Sequence, residues 1–394
     1  MGRTEVLQGL RRMKFDSVLD RWRGGALSQA EAAEILGMSE RTFRRWRDRY
    51  ADAGLEGLLD RRLGRISAKR VPVDVAMRIE QLYRERYAGF TAKHFHEHLV
   101  RDHGFRWGYT WTKTFLHARD LLAAAPRRGA HRKKRPHRPL PGMLLHQDGS
   151  RHAWLPGCDQ QLDLIATLDD ATSQLYSAFL VEEEGTRSSF RGLREVIAEH
   201  GLFCALYTDR GHHYFHTPAA GEPVDKERLT QVGRALAQLG IEHIAAYSPE
   251  ARGRCERLFG TLQDRLPKEL RLAGITSIEA ANRFIAEVYL PAHNARFAVP
   301  AAEPGSAFVR DHDAAFAEIL CIQEGRIVGN DNTVRYRRLS LQLPESRLRP
   351  HFVKARVRVH HYPDDTLAVF HGPRCLARYG ADGQPLLDHA RRAA

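Results

Sequence analysis

Tyr247-Ser248-Pro249-Glu250-Ala251-Arg252-Gly253-Arg254-Cys255-Glu256-Arg257-Leu258-Phe259-Gly260-Thr261-Leu262-Gln263-Asp264-Arg265-Leu266 is the stretch whose reading fixes the rest of the chain. Ser248 suits a helix cap and Pro249 suits a first helical turn. Leu258, Phe259, Leu262 and Leu266 recur at i, i+1, i+4 and i+8, which is one apolar helix face. Glu256 sits beside that face, with Arg252, Arg254 and Arg257 around it. A salt-bridged surface helix would explain such a carboxylate. Two aspartates upstream supply a second explanation.

The first, Asp148, lies in His146-Gln147-Asp148-Gly149-Ser150, inside a strand expected over 143–155. Strands over 161–171 and 174–182 follow, then a helix over 187–200. A further strand ends in Tyr207-Thr208-Asp209-Arg210-Gly211 and carries the second, Asp209. A helix over 225–239 and a strand over 241–247 lead into the opening stretch. Three successive strands and then helix–strand alternation indicate a mixed five-stranded sheet with flanking helices. In such sheets ligands gather at strand ends. If the first and fourth strands are neighbours, Asp148 and Asp209 face each other, and the closing helix brings Glu256 beside them. Taken singly, the aspartates also suit turns and Glu256 suits an ion pair. Together, three carboxylates repel one another unless a cation neutralises them. Hard oxygen donors suit Mg2+ or Mn2+. Two such ions about 3.5–4 Å apart stabilise both the attacking and leaving oxygens of an in-line phosphoryl displacement. No Ser/His/Asp or Cys/His relay is evident.

The charge is unevenly placed. Residues 1–142 hold 31 Lys+Arg against 16 Asp+Glu, and the remaining 252 residues hold 30 against 32. The excess of the net +13 therefore belongs to the first third, which points to an acidic polymer as partner. Residues 4–24 read as a helix. Ser28 with Glu31 makes a capping box, Gly37-Met38 a turn, and Ser39 caps a helix to about Asp52. This is a helix-turn-helix. Its second helix carries Arg41, Thr42, Arg44, Arg45, Arg47 and Arg49, with Phe43 and Trp46 inward. Such a helix enters a major groove of double-stranded DNA. The connector with Arg61, Arg62 and Arg65 can track a phosphate backbone. Helices over 73–87, 91–102 and 110–122 suggest a second helical unit. Arg132-Lys133-Lys134-Arg135 lies in a proline-rich linker that can bind DNA without sequence preference. From Cys321 to Asp382, short strands over 333–343, 355–362 and 366–371 make a small β module.

No apolar run is long enough to span a bilayer, and Met1 to Leu10 lacks the pattern of a signal peptide. The five cysteines are scattered singly, which suits a reducing cytoplasmic setting.

With these residues in view, the chain resembles the bacterial insertion-sequence transposases of the DDE class, with a retroviral-integrase-like core. Ser39-Glu40-Arg41-Thr42-Phe43-Arg44-Arg45-Trp46 is similar to that family's end-binding domain. Tyr207-Thr208-Asp209-Arg210-Gly211 resembles its second catalytic motif, and Ser248-Pro249 with Gly253 and Glu256-Arg257 its third. The resemblance implies a multidomain protein: helix-turn-helix domain 1–65, second helical domain 66–125, basic linker 126–142, α/β ribonuclease H-like core 143–310 and C-terminal small β-barrel 318–385. It implies that Asp148, Asp209 and Glu256 bind two Mg2+ or Mn2+ ions. It further implies cleavage of a transposon end to a 3′-hydroxyl, transfer to target DNA, and a dimer or larger homo-oligomer on paired ends, with no membrane partner. Two features depart from the family pattern: 46 residues separate Asp209 from Glu256, with an insertion over 215–227, and Arg252 replaces the usual Asn. Arg252, Arg254, Arg257, Arg265 and Lys268 are expected on phosphates near the cut. His212 or His213 can orient substrate, although adjacent loop histidines are commonly solvated. His146 reads as core; Trp154 could stack on a splayed base, but reads more readily as a core or barrel-edge tryptophan. A catalytically silent DNA-binding regulator and a plain metal-dependent nuclease are the rival readings.

Overall fold

The computed structural model describes residues 3–59, 70–122, 136–158, 160–217, 222–225, 227–247, 249–310, 315–345 and 349–386. Two compact units divide the chain, Met1–Leu82 and Tyr83–Ala394.

The first unit begins with α1 (Arg3–Arg23), α2 (Gln29–Ile35), α3 (Glu40–Ala53) and a 3-10 turn (Gly54–Leu58). The capping box forms as expected: the Ser28 N–H donates to Glu31 at 2.8 Å, and the Ser28 hydroxyl accepts the Glu31 N–H. Ser39 caps α3 by accepting the Thr42 N–H. Gly37 makes the turn between them at φ +65°, where a side chain would be strained. Phe15, Leu19, Ala32, Ala33, Phe43 and Leu58 form the buried core. Trp46 packs on Phe15 with ring centroids 5.4 Å apart, so Phe43 and Trp46 are the inward anchors of α3. The division between units falls inside α4 (Val73–Glu85).

In the second unit, α5 (Ala92–His103) and α6 (Tyr109–Ala118) precede β1 (Leu145–His152), β2 (Leu162–Asp169) and β3 (Leu175–Val181). Next come α7 (Thr186–His200), β4 (Ala205–Thr208), α8 (Gln231–Gln238), β5 (Glu242–Ala245) and α9 (Pro249–Leu272). The sheet order is β3-β2-β1-β4-β5, antiparallel over the first three strands and parallel from β1 to β5. β2 is buried along its whole length, as a strand covered on both faces must be. One face packs Leu162, Leu164, Ala166 and Leu168 against Leu258, Phe259, Leu262 and Leu266 of α9. The other packs Leu145 and Leu206 against α7 and α8.

Beyond α9, α10 (Ile278–Phe284), a π turn (Ile285–Tyr289) and α11 (Leu290–Phe297) cover the β3 edge. The Asn282 amide accepts the Leu180 N–H and donates to the Leu180 carbonyl. Asn294 does the same to Leu175. Two side-chain amides thus stand in for a neighbouring strand, and the edge is closed to foreign pairing.

Three expectations change. The helix over 225–239 starts only at Gln231, because Asp225 accepts the Glu227 and Arg228 N–H groups in a turn and bridges to His216. The strand over 333–343 is a hairpin, β7 (Thr333–Tyr336) and β8 (Leu339–Gln342), whose turn puts Arg337 at φ +55°. The C-terminal module is not a closed barrel. After α12 (Phe316–Ile319), β6 (Ile322–Ile327), β9 (Arg356–His361), β10 (Leu367–His371) and β11 (Arg374–Tyr379) form an open four-stranded sheet, with the β7–β8 hairpin as a separate ladder. Four strands of five or six residues are too few to close a barrel around side chains. Sheet and hairpin instead share a core that includes Val334, Leu341, Val357, Val359 and Tyr379.

Candidate active site at the strand ends

The parallel pairing of β1 and β4 sets Leu145 opposite Leu206 and His146 opposite Tyr207. Continuing that register two residues brings Asp148 level with Asp209. Asp148 is 7% exposed, and one of its carboxylate oxygens accepts the Gly149 N–H at 3.1 Å. Asp209 follows the last residue of β4, and one of its oxygens accepts the Gly211 N–H at 2.8 Å. Backbone N–H groups therefore aim both carboxylates.

A third acid, Glu184, stands at the same end of the sheet and went unmarked in the sequence. A Cβ on Gly149 would collide with its carboxylate, so glycine is what admits Glu184 against β1. Its backbone N–H donates to Asp163 at 2.8 Å, and His213 Nε2 lies 3.5 Å from its carboxylate. The signal available was Glu182-Glu183-Glu184-Gly185 after a strand, which reads equally well as a solvated turn. His213 is 8% exposed while His212 is exposed, so only the latter is solvated. Behind them the buried Tyr214 hydroxyl donates to Gln147 at 3.1 Å. Burial first, and then the charges of Glu184, Asp148 and Asp209, push that phenol well above its usual range. Negative charge is thus concentrated here. Oxygen donors in that field fit a hard divalent cation, Mg2+ or Mn2+.

Glu256 lies on the exposed side of α9. Gln263 Nε2 donates to Ser150 Oγ at 2.9 Å, tying the helix to β1. Glu256 is two turns before Gln263 and so shares its face, as Asp148 shares the face of Ser150 two residues on. The three acids do not close into one group, however. Among the described residues, the trio whose ligand atoms all lie within 4.8 Å of one another is His94, His98 and Glu269, not Asp148, Asp209 and Glu256.

The cations of α9 divide. Arg257 is exposed, with its Nε–H donating to the Gly253 carbonyl at 3.0 Å. Arg254 is instead a clamp: its Nε lies 2.9 Å from Asp170 Oδ1, and its side chain is only 9% exposed. His146 Nε2 sits 2.8 Å from the same oxygen, and the Arg138 N–H donates to the other oxygen of that carboxylate. Burial opposes the Asp170 charge, but these partners outweigh it and hold the carboxyl well below its usual range. Arg254 thus has little reach for a phosphate. Arg265 is paired with Glu97 and Lys268 with Asp264. Ser248 and the side chain of Arg252 fall outside the described residues. Trp154 is fully buried and donates to the Ser150 carbonyl, a core tryptophan.

On α3, Arg41, Arg44 and Arg45 are exposed, whereas Arg47 pairs with Asp48 and Thr42 Oγ1 lies 2.9 Å from Ser39 Oγ. Arg61, Arg62, Arg65, Arg132, Lys133, Lys134 and Arg135 lie outside the described residues.

Residues 17–65 match a family model described as a helix-turn-helix domain. A Sinorhizobium fredii protein, y4bF, described as a transposase, is 31% identical over 355 residues, 89% of this chain and 77% of that protein. The chain belongs to the insertion-sequence transposases. A second relative of this transposase is the transposase for insertion sequence IS1202 of Streptococcus pneumoniae. It is 25% identical over 308 residues, 69% of the chain and 65% of that relative. Among solved structures, the HTLV-2 integrase catalytic core domain in complex with magnesium covers 36% of the transposase and 82% of itself, at 15% identity and TM-score 0.28. A chain of the simian T-cell lymphotropic virus intasome in complex with PP2A regulatory subunit B56 gamma covers 71% and 91%, at 14% and 0.34. Among the described residues, no helix is long and apolar enough to cross a membrane.

Proposed function

We propose that this transposase binds the terminal inverted repeats of its element through α3, cleaves each end to a 3′-hydroxyl and joins that end to target DNA. The observation that carries this reading is the parallel pairing of β1 and β4, in which His146 is opposite Tyr207; Asp148 and Asp209 each follow two residues on. Asp148, Asp209 and Glu256 would hold two Mg2+ or Mn2+ ions. When bound, such ions supply the Lewis acidity that phosphodiester hydrolysis and strand transfer require. The chain's own residues do the positioning. Backbone N–H groups fix the two aspartates. Gln263 and Ser150 hold the Glu256 face of α9 to β1. Arg257 is placed to bind a phosphate beside the cut, and Arg41, Arg44 and Arg45 to read or grip the end. The protein would work in the cytoplasm on DNA, as a dimer or larger assembly on paired ends.

That Asp148, Asp209 and Glu256 do not all lie within 4.8 Å of one another favours one alternative, a silent derivative that binds ends without cutting. A labelled end duplex incubated with wild type, with Mg2+, Mn2+ or neither, separates the readings. Metal-dependent nicking at the end followed by joining is expected. Tight end-specific binding without a nick would leave the silent regulator, and nicking without end preference would leave a nuclease.

A further inference from the structure

Thirteen residues beyond Glu256, α9 carries Glu269, which meets two histidines of α5. His94 Nε2 lies 2.6 Å and His98 Nε2 2.9 Å from Glu269 Oε1. Both histidines are almost wholly buried, at 1% and 2% exposed, and stand four residues apart on one helix face. Glu269 is 18% exposed along its side chain. We infer that His94, His98 and Glu269 form a transition-metal site of the zinc class that staples α5 to α9. The inference is independent of the strand-end carboxylates.

Three ligand atoms converge here: both Nε2 atoms and a Glu269 oxygen lie within 4.8 Å of one another. His98 Nδ1 faces the Asp102 carboxylate at 2.8 Å while its Nε2 faces Glu269. A neutral imidazole has one N–H and one lone pair. Arg101 Nη2 lies 2.9 Å from the same Nδ1, so without a metal the Nε2–H tautomer donates to Glu269 and accepts from Arg101. With a metal at Nε2 the proton sits on Nδ1 and donates to Asp102, Arg101 keeps its own bonds to Asp102, and Nε2, His94 Nε2 and Glu269 share the metal. A ligating histidine whose second nitrogen donates to a carboxylate is the usual outer arrangement of zinc sites. His94 Nδ1 has no hydrogen-bond partner among the described residues. Withdrawal of the Glu269 carboxylate by roughly half an ångström opens the separations that metal bonds of about 2 Å require.

The chemistry also limits the role. His94-Phe95-His96-Glu97-His98 has the H-x-x-E-H spacing of zinc hydrolases, in which the glutamate activates water. Here Arg265 holds both Glu97 oxygens at 2.8 and 3.1 Å, and Arg296 adds an ion pair. Glu97 is therefore not a base poised over the metal, and the site is structural. A cavity of about 410 Å³ lined by His94, His98, Glu269, Tyr289 and His293 gives a water access to the fourth position.

The test uses the full chain stripped with chelator, then titrated with Zn2+ or with Co2+ as a visible probe. One tightly held zinc per chain is expected, with four-coordinate cobalt absorption and a raised Tm. Both should vanish in His94→Gln/His98→Gln and persist in Asp209→Asn, which separates this site from the strand ends. Asp102→Asn, which keeps all three ligands, should weaken zinc about 10-fold or more. Should the double variant fail to fold, the wild-type titration and Asp102→Asn still decide. Folded wild type with no retained zinc and no cobalt absorption, or absorption undiminished in the double variant, would overturn the inference and leave a hydrogen-bonded His–Glu–His lock.

Discussion

On helix α9, Glu256 and Glu269 stand about 20 Å apart along the axis, thirteen residues at 1.5 Å each. Glu269 is gripped by two buried histidines before any ligand arrives. Glu256 is exposed and does not close into one tight ligand group with Asp148 and Asp209. The difference separates two ways of using a carboxylate. An acid that joins elements is satisfied within the fold. In the proposed reading, an acid kept for chemistry is completed by cation and DNA, because three carboxylates brought together repel without a cation.

The largest effect that sharpens this contrast is expected at the strand ends. Asp148→Asn or Asp209→Asn should lower end cleavage at least about 10³-fold, with end binding unchanged in a mobility-shift assay. A cut of similar rate would remove the aspartates from the chemistry. Next comes Arg254→Ala, which strips one partner from buried Asp170. It should cost about 3–5 kcal/mol in denaturant unfolding, as loss of a buried charge partner does. Because the folded Asp170 carboxyl is held below its unfolded value near 4, its contribution is fully present above about pH 4 and is lost as pH falls. Arg254→Ala should therefore also move the acid unfolding midpoint upward. An unchanged midpoint would return Arg254 to the DNA.

In the other unit, Arg44→Ala or Arg45→Ala should weaken end binding by about 1–3 kcal/mol for a base contact. For a phosphate contact, the slope of log affinity against log salt should drop by about 1. Neither should alter unfolding of the core. The smallest effect is Gly149→Ala, in which the new methyl displaces the Glu184 side chain from β1. It should cost about 1 kcal/mol by thermal unfolding, because the obstructing group is the mobile end of a side chain. A larger loss would mean that Glu184 is held more firmly than its ion pair with His213 suggests.

Most of the frame was legible because its signals are local. Ser28, Glu31 and Ser39 set the first helices, and the Leu258–Leu266 stripe sets the α9 face. Alternation and burial placed Asp148 and Asp209 on strands whose adjacency was a condition in the sequence and is an observation in the fold. What was hidden depends on residues distant in sequence. Glu184 reaches β1 only through the gap at Gly149, and Arg254 finds Asp170 84 residues away. The His94–His98 pair meant little until Glu269 was seen opposite it, 171 residues on from His98. The barrel expectation failed because short strand signals do not say which edges pair.

The most direct measurement is nicking and joining of a labelled end duplex by Glu256→Gln beside wild type, in Mg2+ and in Mn2+. Glu256 is exposed, so the variant should fold and bind ends as wild type does, and both nicking and joining should disappear. Nicking and joining by Glu256→Gln at the wild-type rate would contradict the assignment of Glu256 as the third metal-binding acid.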